Sequence, residues 1–174
     1  TTPTTLDYSI RDLEVDCTGD RGYGFRNCAN LTNCTGTGAG TGYSGYGFRD
    51  CTNLTNCTGT GTGIGADVIT VGYGFASCTN LTNCTGTGTG TGTEYEGNGF
   101  GNCTNLTNCT GTGAGTGYSG CGFRNCTNLT NCTGTGTGSE GYGFYEINYA
   151  SNCKDDGSST NMWGGTNKNI DLDT

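Results

Sequence analysis

Counting from each phenylalanine in Phe25, Phe48, Phe75, Phe100 and Phe123, a cysteine follows at +3, a leucine at +6 and a second cysteine at +9. The frame recurs five times, written as Gly-x-Gly-Phe-x-x-Cys-x-Asn-Leu-Thr-Asn-Cys-Thr-Gly-Thr-Gly, with successive leucines at Leu31, Leu54, Leu81, Leu106 and Leu129. Self-similarity at this period marks a solenoid, in which each repeat is one winding that buries its apolar side only against its neighbours. The expected fold is therefore all-β: a single-domain parallel β-solenoid of about five Gly/Thr/Cys-rich coils with non-repeat end caps.

Composition narrows the interior. With 36 Gly and only 30% hydrophobic residues, the chain cannot fill a broad aliphatic core, so the space inside each coil must be thin and lined by small side chains. Glycine and threonine richness also suits disorder, but a disordered chain needs no Phe, Cys, Leu and Cys at fixed offsets. Charge gathers at the ends: Asp7, Asp12, Glu14, Asp16 and Asp20 precede the first repeat, and Glu146, Asp155, Asp156, Asp171 and Asp173 follow the last. A net charge of −8 with seven basic residues argues against nucleic acid or an anionic membrane as partner, since both need clustered Lys/Arg. No stretch has the length and apolarity of a transmembrane helix, and membrane insertion is not expected. The chain begins at Thr1, which reads as a processed end or a portion of something longer.

Three segments are expected. Residues 1–22 form an N-terminal cap strand, with Leu6, Tyr8, Ile10, Leu13 and Val15 alternating with polar residues. Residues 23–144 are the five-coil body, and residues 145–174 are a C-terminal cap and tail. Within a coil the Thr-Gly-Thr-Gly run has a period of two, so an extended chain puts Thr on one face and Gly on the other. If Cys34 points inward, so do Gly36 and Gly38, and stacking then aligns an outward Thr face: Thr35, Thr37, Thr58, Thr60, Thr85, Thr87, Thr110, Thr112, Thr133 and Thr135. The longer units carry their extra residues at Gly63 to Val71 and Gly92 to Gly97, placed as loops on one side. Tyr23, Tyr46, Tyr73 and Tyr142 stand two residues before Phe and are expected to share its inward side or cap the turn, and so to belong to the core.

Two resemblances attach to these residues. Gly24-Phe25, Cys28 and Leu31 are similar to the bacterial surface leucine-rich repeats of the BspA type, although Cys34 and Gly36 stand where that family has bulky aliphatics. The Gly-Tyr-Gly-Phe and Asn-Cys-Thr elements resemble right-handed parallel β-helices of the pectate-lyase and copper-periplasmic type, which recur on phage tail fibres and surface adhesins. Either resemblance covers roughly residues 22–144 and implies parallel coils, and the β-helix is the nearer of the two.

Ten of the thirteen cysteines are the paired positions Cys28/Cys34, Cys51/Cys57, Cys78/Cys84, Cys103/Cys109 and Cys126/Cys132. The favoured reading is one disulfide inside each coil, worth roughly 2 kcal/mol in the chain-entropy model. The alternative is two columns of buried thiols acting as small hydrophobes. Zinc ranks last, because Cys-x5-Cys is not a usual ligand spacing and the chain has no His; no metal or other cofactor is expected. Cys17, Cys121 and Cys153 lie outside the frame. Twelve Asn-x-Thr triplets occur, so Asn30, Asn53, Asn80, Asn105 and Asn128 are possible glycosylation acceptors. Asparagines stacked in columns more often form side-chain hydrogen-bond ladders, which is the preferred reading.

Catalytic readings find little to stand on. Nucleophile and base chemistry calls for His or an equivalent beside Ser or Cys, and sugar cleavage calls for clustered acids, so no enzyme is expected. Arg26, Arg49 and Arg124 share the position after Phe, with Asp50 one further on, and read as a solvated edge. The tail Asn167 to Asp173 could hold Ca²⁺, though a polar final strand is preferred. The function expected is a non-catalytic structural or adhesive module, extracellular or on a cell or virion surface, as shaft or binding segment of an adhesin, filament or phage tail fibre. Self-association and a carbohydrate or protein of a cell surface are its expected partners. The alternative is ice binding through the outward Thr array, weakened by Ala39, Ala114 and the longer units; a polysaccharide-active β-helix ranks below both.

Overall fold

Three parallel sheets run the length of a β-solenoid of about six turns, with no helix among the described residues. The computed structural model describes residues 9–65, 70–91, 97–115, 120–138 and 141–156. Each winding contributes one strand to each sheet. The Leu sheet holds Ile10–Arg11, Leu31–Thr32, Thr52–Thr55, Thr79–Thr82, Thr104–Thr107, Thr127–Thr130 and Ala150–Ser151. The Thr sheet holds Glu14–Gly19, Thr35–Gly40, Thr58–Ile64, Thr85–Thr91, Thr110–Gly115, Thr133–Thr137 and Lys154–Asp155. The Tyr sheet holds Gly22–Arg26, Gly45–Arg49, Gly72–Ala76, Gly97–Gly101, Gly120–Arg124 and Tyr142–Tyr145. The register is the one the repeat frame demands: Leu54 pairs with Leu81, Leu81 with Leu106, and Leu106 with Leu129.

The segments before and after the repeats keep this register. Ile10 pairs with Leu31, and Glu14 to Gly19 pair one for one with Thr35 to Gly40. At the other end Phe144 pairs with Phe123, Ala150 with Leu129 and Lys154 with Thr133. Both ends are thus degenerate windings that spend polar residues on the outside while keeping the strand spacing.

Corners are made by asparagine. In the first full winding Asn27, Asn30 and Asn33 all have positive φ, at 54°, 59° and 54°, and the same offsets carry positive φ in every later repeat. Most side chains resist this left-handed region; Asn accepts it because its short amide can bond locally. The side chains also join successive windings. Asn53, Asn80, Asn105 and Asn128 each donate from Nδ2 to the Oδ1 of the equivalent asparagine one winding earlier, at 3.0 Å. A second row does the same, Asn56 to Asn33 and Asn131 to Asn108, and Asn33 donates to Asp12 Oδ1 at 3.0 Å. Nδ2, the atom a glycan would occupy, is therefore the ladder donor at Asn53, Asn80, Asn105 and Asn128. Asn80→Ala is expected to cost about 2 kcal/mol, from the lost left-handed tolerance and the lost ladder bonds. Asn80→Gly, which keeps φ of 58° accessible, should cost clearly less. Equal losses in denaturation midpoints would show that backbone conformation is not what this residue contributes.

The core is a narrow prism. Phe25, Phe48, Phe75, Phe100, Phe123 and Phe144 stack with ring centroids 4.8 to 5.1 Å apart and planes within 9°. Beside them run the leucines and the cysteines of the frame, nearly all fully buried. Beyond this prism the Thr and Tyr sheets close on each other through glycine alone. A Cβ on Gly24 would lie 2.7 Å from Gly36 Cα, and one on Gly61 would lie 2.0 Å from the Tyr73 carbonyl oxygen. Sheets bearing side chains pack about 10 Å apart; here the backbones themselves touch.

One expectation about this region fails. Tyr23, Tyr46 and Tyr73 do not share the inward side with Phe: they stand half-buried on the outer face of the Tyr sheet. Gly24 and Phe25 are consecutive yet both face the interior, one against the Thr sheet and the other in the prism. That bend inverts the two-residue parity on which the expectation rested. Tyr142, in the terminal winding, is buried.

Candidate functional site

The Thr sheet presents the most regular surface of the molecule. Its inward positions are glycine, which backs the sheet rigidly against the Tyr sheet. Its outward positions form columns: Thr35, Thr58, Thr85, Thr110 and Thr133 in the first, and Thr37, Thr60, Thr87, Thr112 and Thr135 in the second. A third column, Ala39, Thr62, Thr89, Ala114 and Thr137, adds methyl groups throughout and hydroxyls at three positions. Spacing is about 4.8 Å between windings and about 6.6 Å between alternate residues of a strand. No charge interrupts the grid. Glu14 and Asp16 head the first two columns, and Lys154 ends the first.

The longer repeats leave the grid undisturbed. Thr62 pairs with Thr89, and Gly63 with Gly90, across the unit that carries the largest insertion. In the chain, the extra residues fall between the Thr strand and the following Tyr strand. The inserted stretches 66–69 and 92–96 lie outside the described residues, as does the Asn167 to Asp173 tail with its candidate Ca²⁺ oxygens.

On the opposite side, the Tyr sheet carries a short aromatic and cationic stripe. Tyr23, Tyr46 and Tyr73 stack at 5.2 and 5.4 Å. Arg49 lies over Tyr46 at 4.6 Å and Arg26 over Tyr23 at 5.0 Å, while Asp50 approaches Arg49 at 3.4 Å and Arg26 at 4.0 Å. The arginines thus form the exposed edge expected of them, with Arg26 and Asp50 open to solvent, and they also cover tyrosine rings. Further along, the rows change to small residues, Asn98 and Cys121 in place of Tyr, Ala76 and Gly101 in place of Arg. The Tyr73 ring leans into that gap, where a Cβ on Gly101 would meet it at 2.5 Å.

All thirteen cysteines are thiols in this structure, and the intracoil disulfides expected at Cys28/Cys34, Cys51/Cys57, Cys78/Cys84, Cys103/Cys109 and Cys126/Cys132 are not formed. The physical reason lies in the corners. Each thiol of these ten positions turns back to the carbonyl two residues before it, Cys51 to Arg49 at 3.2 Å and Cys84 to Thr82 at 3.4 Å, bracketing the left-handed residue between them. The two cysteines of one winding sit at opposite ends of the Leu strand, so each has as its sulfur neighbour the same cysteine one winding away. Burial pushes the Cys103 thiol well up from its ordinary range, and the neighbouring Cys109 together with burial pushes Cys132 up to about 12. Cys57 moves down, drawn by its hydrogen bond with Cys84.

A raised thiol pKa means that the folded chain holds its proton more tightly than the unfolded chain does. The resulting stability is complete below the unfolded value near 8.5 and is lost as pH rises from there toward about 12. The denaturant midpoint of the reduced protein is expected to hold steady from pH 6 to 8 and to fall progressively above about pH 9. A midpoint still level at pH 10.5 would show that these thiols titrate alike in both states.

Among the described residues no group of three His, Cys, Asp or Glu is placed to hold a metal ion, and no helix is long and apolar enough to cross a membrane. Comparison with protein-family models, with curated proteins and with solved structures finds no match for this chain.

Proposed function

We propose that the chain is a non-catalytic structural and adhesive module, working outside the cell as the shaft or binding segment of a surface adhesin, filament or tail fibre. One observation carries this reading: the three sheets run in continuous register along the solenoid, and the Thr face repeats a single motif from Thr35 to Thr133. Repetition of this kind suits multivalent contact with a repetitive partner, such as a cell-surface glycan or another copy of the rod. The histidine-free sequence and the nearly neutral coils support a binding role over a chemical one. Negative-stain microscopy across a concentration series, paired with retention on immobilised cell-surface glycans, tests the proposal. Rods that lengthen by joining, or retention on a glycan or cell surface, are expected. Single short particles that neither join nor bind would remove it.

Ice binding is the second reading, and the undisturbed grid favours it. The longer units, which on sequence alone count against a lattice, leave the Thr columns aligned. Ala39 and Ala114 keep the methyl of the column they interrupt. An ordered array of methyls and hydroxyls, held flat by a glycine backing, could template ordered water. Thermal hysteresis of the reduced protein, abolished by Thr87→Tyr at the centre of the grid, would support this reading, and freezing at the ordinary point would dismiss it.

A further inference from the structure

Of the two cysteine columns, one opens to solvent at a single place. Cys28 is half-buried, while Cys51, Cys78, Cys103 and Cys126 beneath it are buried, as is the whole column that begins at Cys34. Cys28 and Cys51 are equivalent positions of adjacent windings, clamped by backbone bonds on both sides of the corner. Thr52 N donates to Cys28 O and Asn30 N to Thr52 O, both at 3.0 Å, and Asn27 N donates to Arg49 O at 3.0 Å. Cys28 N itself points at Cys51 Sγ, 3.5 Å away. The winding rise of about 4.8 Å lies within the Cα separations of about 4.4 to 6.8 Å that a disulfide spans.

We propose that Cys28 and Cys51 are a modification site, joined as a disulfide between the first two windings through exchange with a small-molecule disulfide such as oxidised glutathione. The Cys28 thiolate attacks the small disulfide, forming one S–S bond and releasing one small thiolate. Cys51, a buried thiol held above its ordinary range by its bond with Cys78 and by burial, then gives its proton to the small thiolate released in the first step and attacks Cys28 Sγ, forming the Sγ–Sγ bond and expelling the second small thiolate. Two protein thiols are oxidised and one disulfide is reduced to two thiols, so electrons and protons balance. The order follows from access, since of this pair only Cys28 reaches the surface, and Cys51 beneath it is positioned to resolve the mixed disulfide. Burial raises the Cys28 pKa, with the Cys51 sulfur adding to it, so the first step is slow at neutral pH and quickens as pH rises.

The test uses the whole reduced chain incubated with oxidised glutathione at pH 8, followed by intact mass measurement and non-reducing peptide mapping. The expected product is lighter by two hydrogen atoms and carries a Cys28 to Cys51 link. Cys17→Ser, which changes the other half-buried thiol, should give the same product, and Cys28→Ser should give none. The peptide map of the unmodified sequence decides by itself if a variant folds poorly. A Cys28 to Cys34 link, a link through Cys17, a glutathione adduct on Cys28 that does not resolve, or no product at all would each overturn the proposal.

Discussion

Gly61→Ala is expected to abolish the native stack around the third winding, with a loss of at least about 3 kcal/mol, the upper range for forcing extra atoms into a packed interior. The added methyl would sit 2.0 Å from Tyr73 O and 2.5 Å from Gly45 O, and both are backbone atoms that cannot rotate away. Separating the sheets to admit it would break the same contact in the windings above and below, because Gly38, Gly61, Gly88 and Gly113 form one inward column. Gly42→Ala is the matched control, since its nearest neighbour would be an Asp20 side-chain atom at 3.6 Å. Circular dichroism and denaturant midpoints of the two variants make the comparison. A Gly61→Ala chain as stable as Gly42→Ala would mean that the glycine wing is not closed as described.

The second large effect is expected at Phe100. Its ring lies between Phe75 and Phe123, 4.8 Å from each, and is fully buried. Phe100→Ala should cost about 3 to 5 kcal/mol, the range for emptying an aromatic site in a core that cannot collapse around the gap. Collapse is barred here because the winding rise is fixed by backbone hydrogen bonds. Phe25→Ala should cost less, as that ring has a stacking partner in Phe48 and is slightly exposed. Because a solenoid can melt winding by winding, the midpoint is best followed together with proteolysis, which locates the loosened segment. A smaller loss at Phe100 than at Phe25 would contradict a continuous aromatic column.

Much of this architecture can be read from spacing. Phe, Leu and the second Cys recur at constant offsets from one another, and parallel in-register stacking is the arrangement that gives every copy the same neighbours. Threonine and glycine alternate strictly, so the division of the Thr sheet into an outer and an inner face follows from period two. The parity of the Tyr sheet does not follow, because the Gly24 to Phe25 bend occurs inside a strand and leaves no mark that counting by twos can detect. The third corner was also hidden: Asn27, Asp50, Ser77, Asn102 and Asn125 look like a variable polar position. Their common property is a short polar side chain, and all adopt positive φ. The cysteines show a different limit. Their spacing fixes where the sulfurs lie along the chain, but whether two are close depends on where the corners fall, and the corners set them at opposite ends of a strand.

The asparagine rows give the rod a sense of direction. In both rows the donated protons point toward the N-terminal tip, so the small amide dipoles add head to tail, much as peptide dipoles do along a helix. The positive ends of these dipoles lie toward that tip, where one row ends on the Asp12 carboxylate. Among the described residues the equivalent position of the last winding is Asn152, an amide and not a carboxylate, so the two extremities are chemically unlike. Any joining of rods along this axis is thereby biased toward a single polarity.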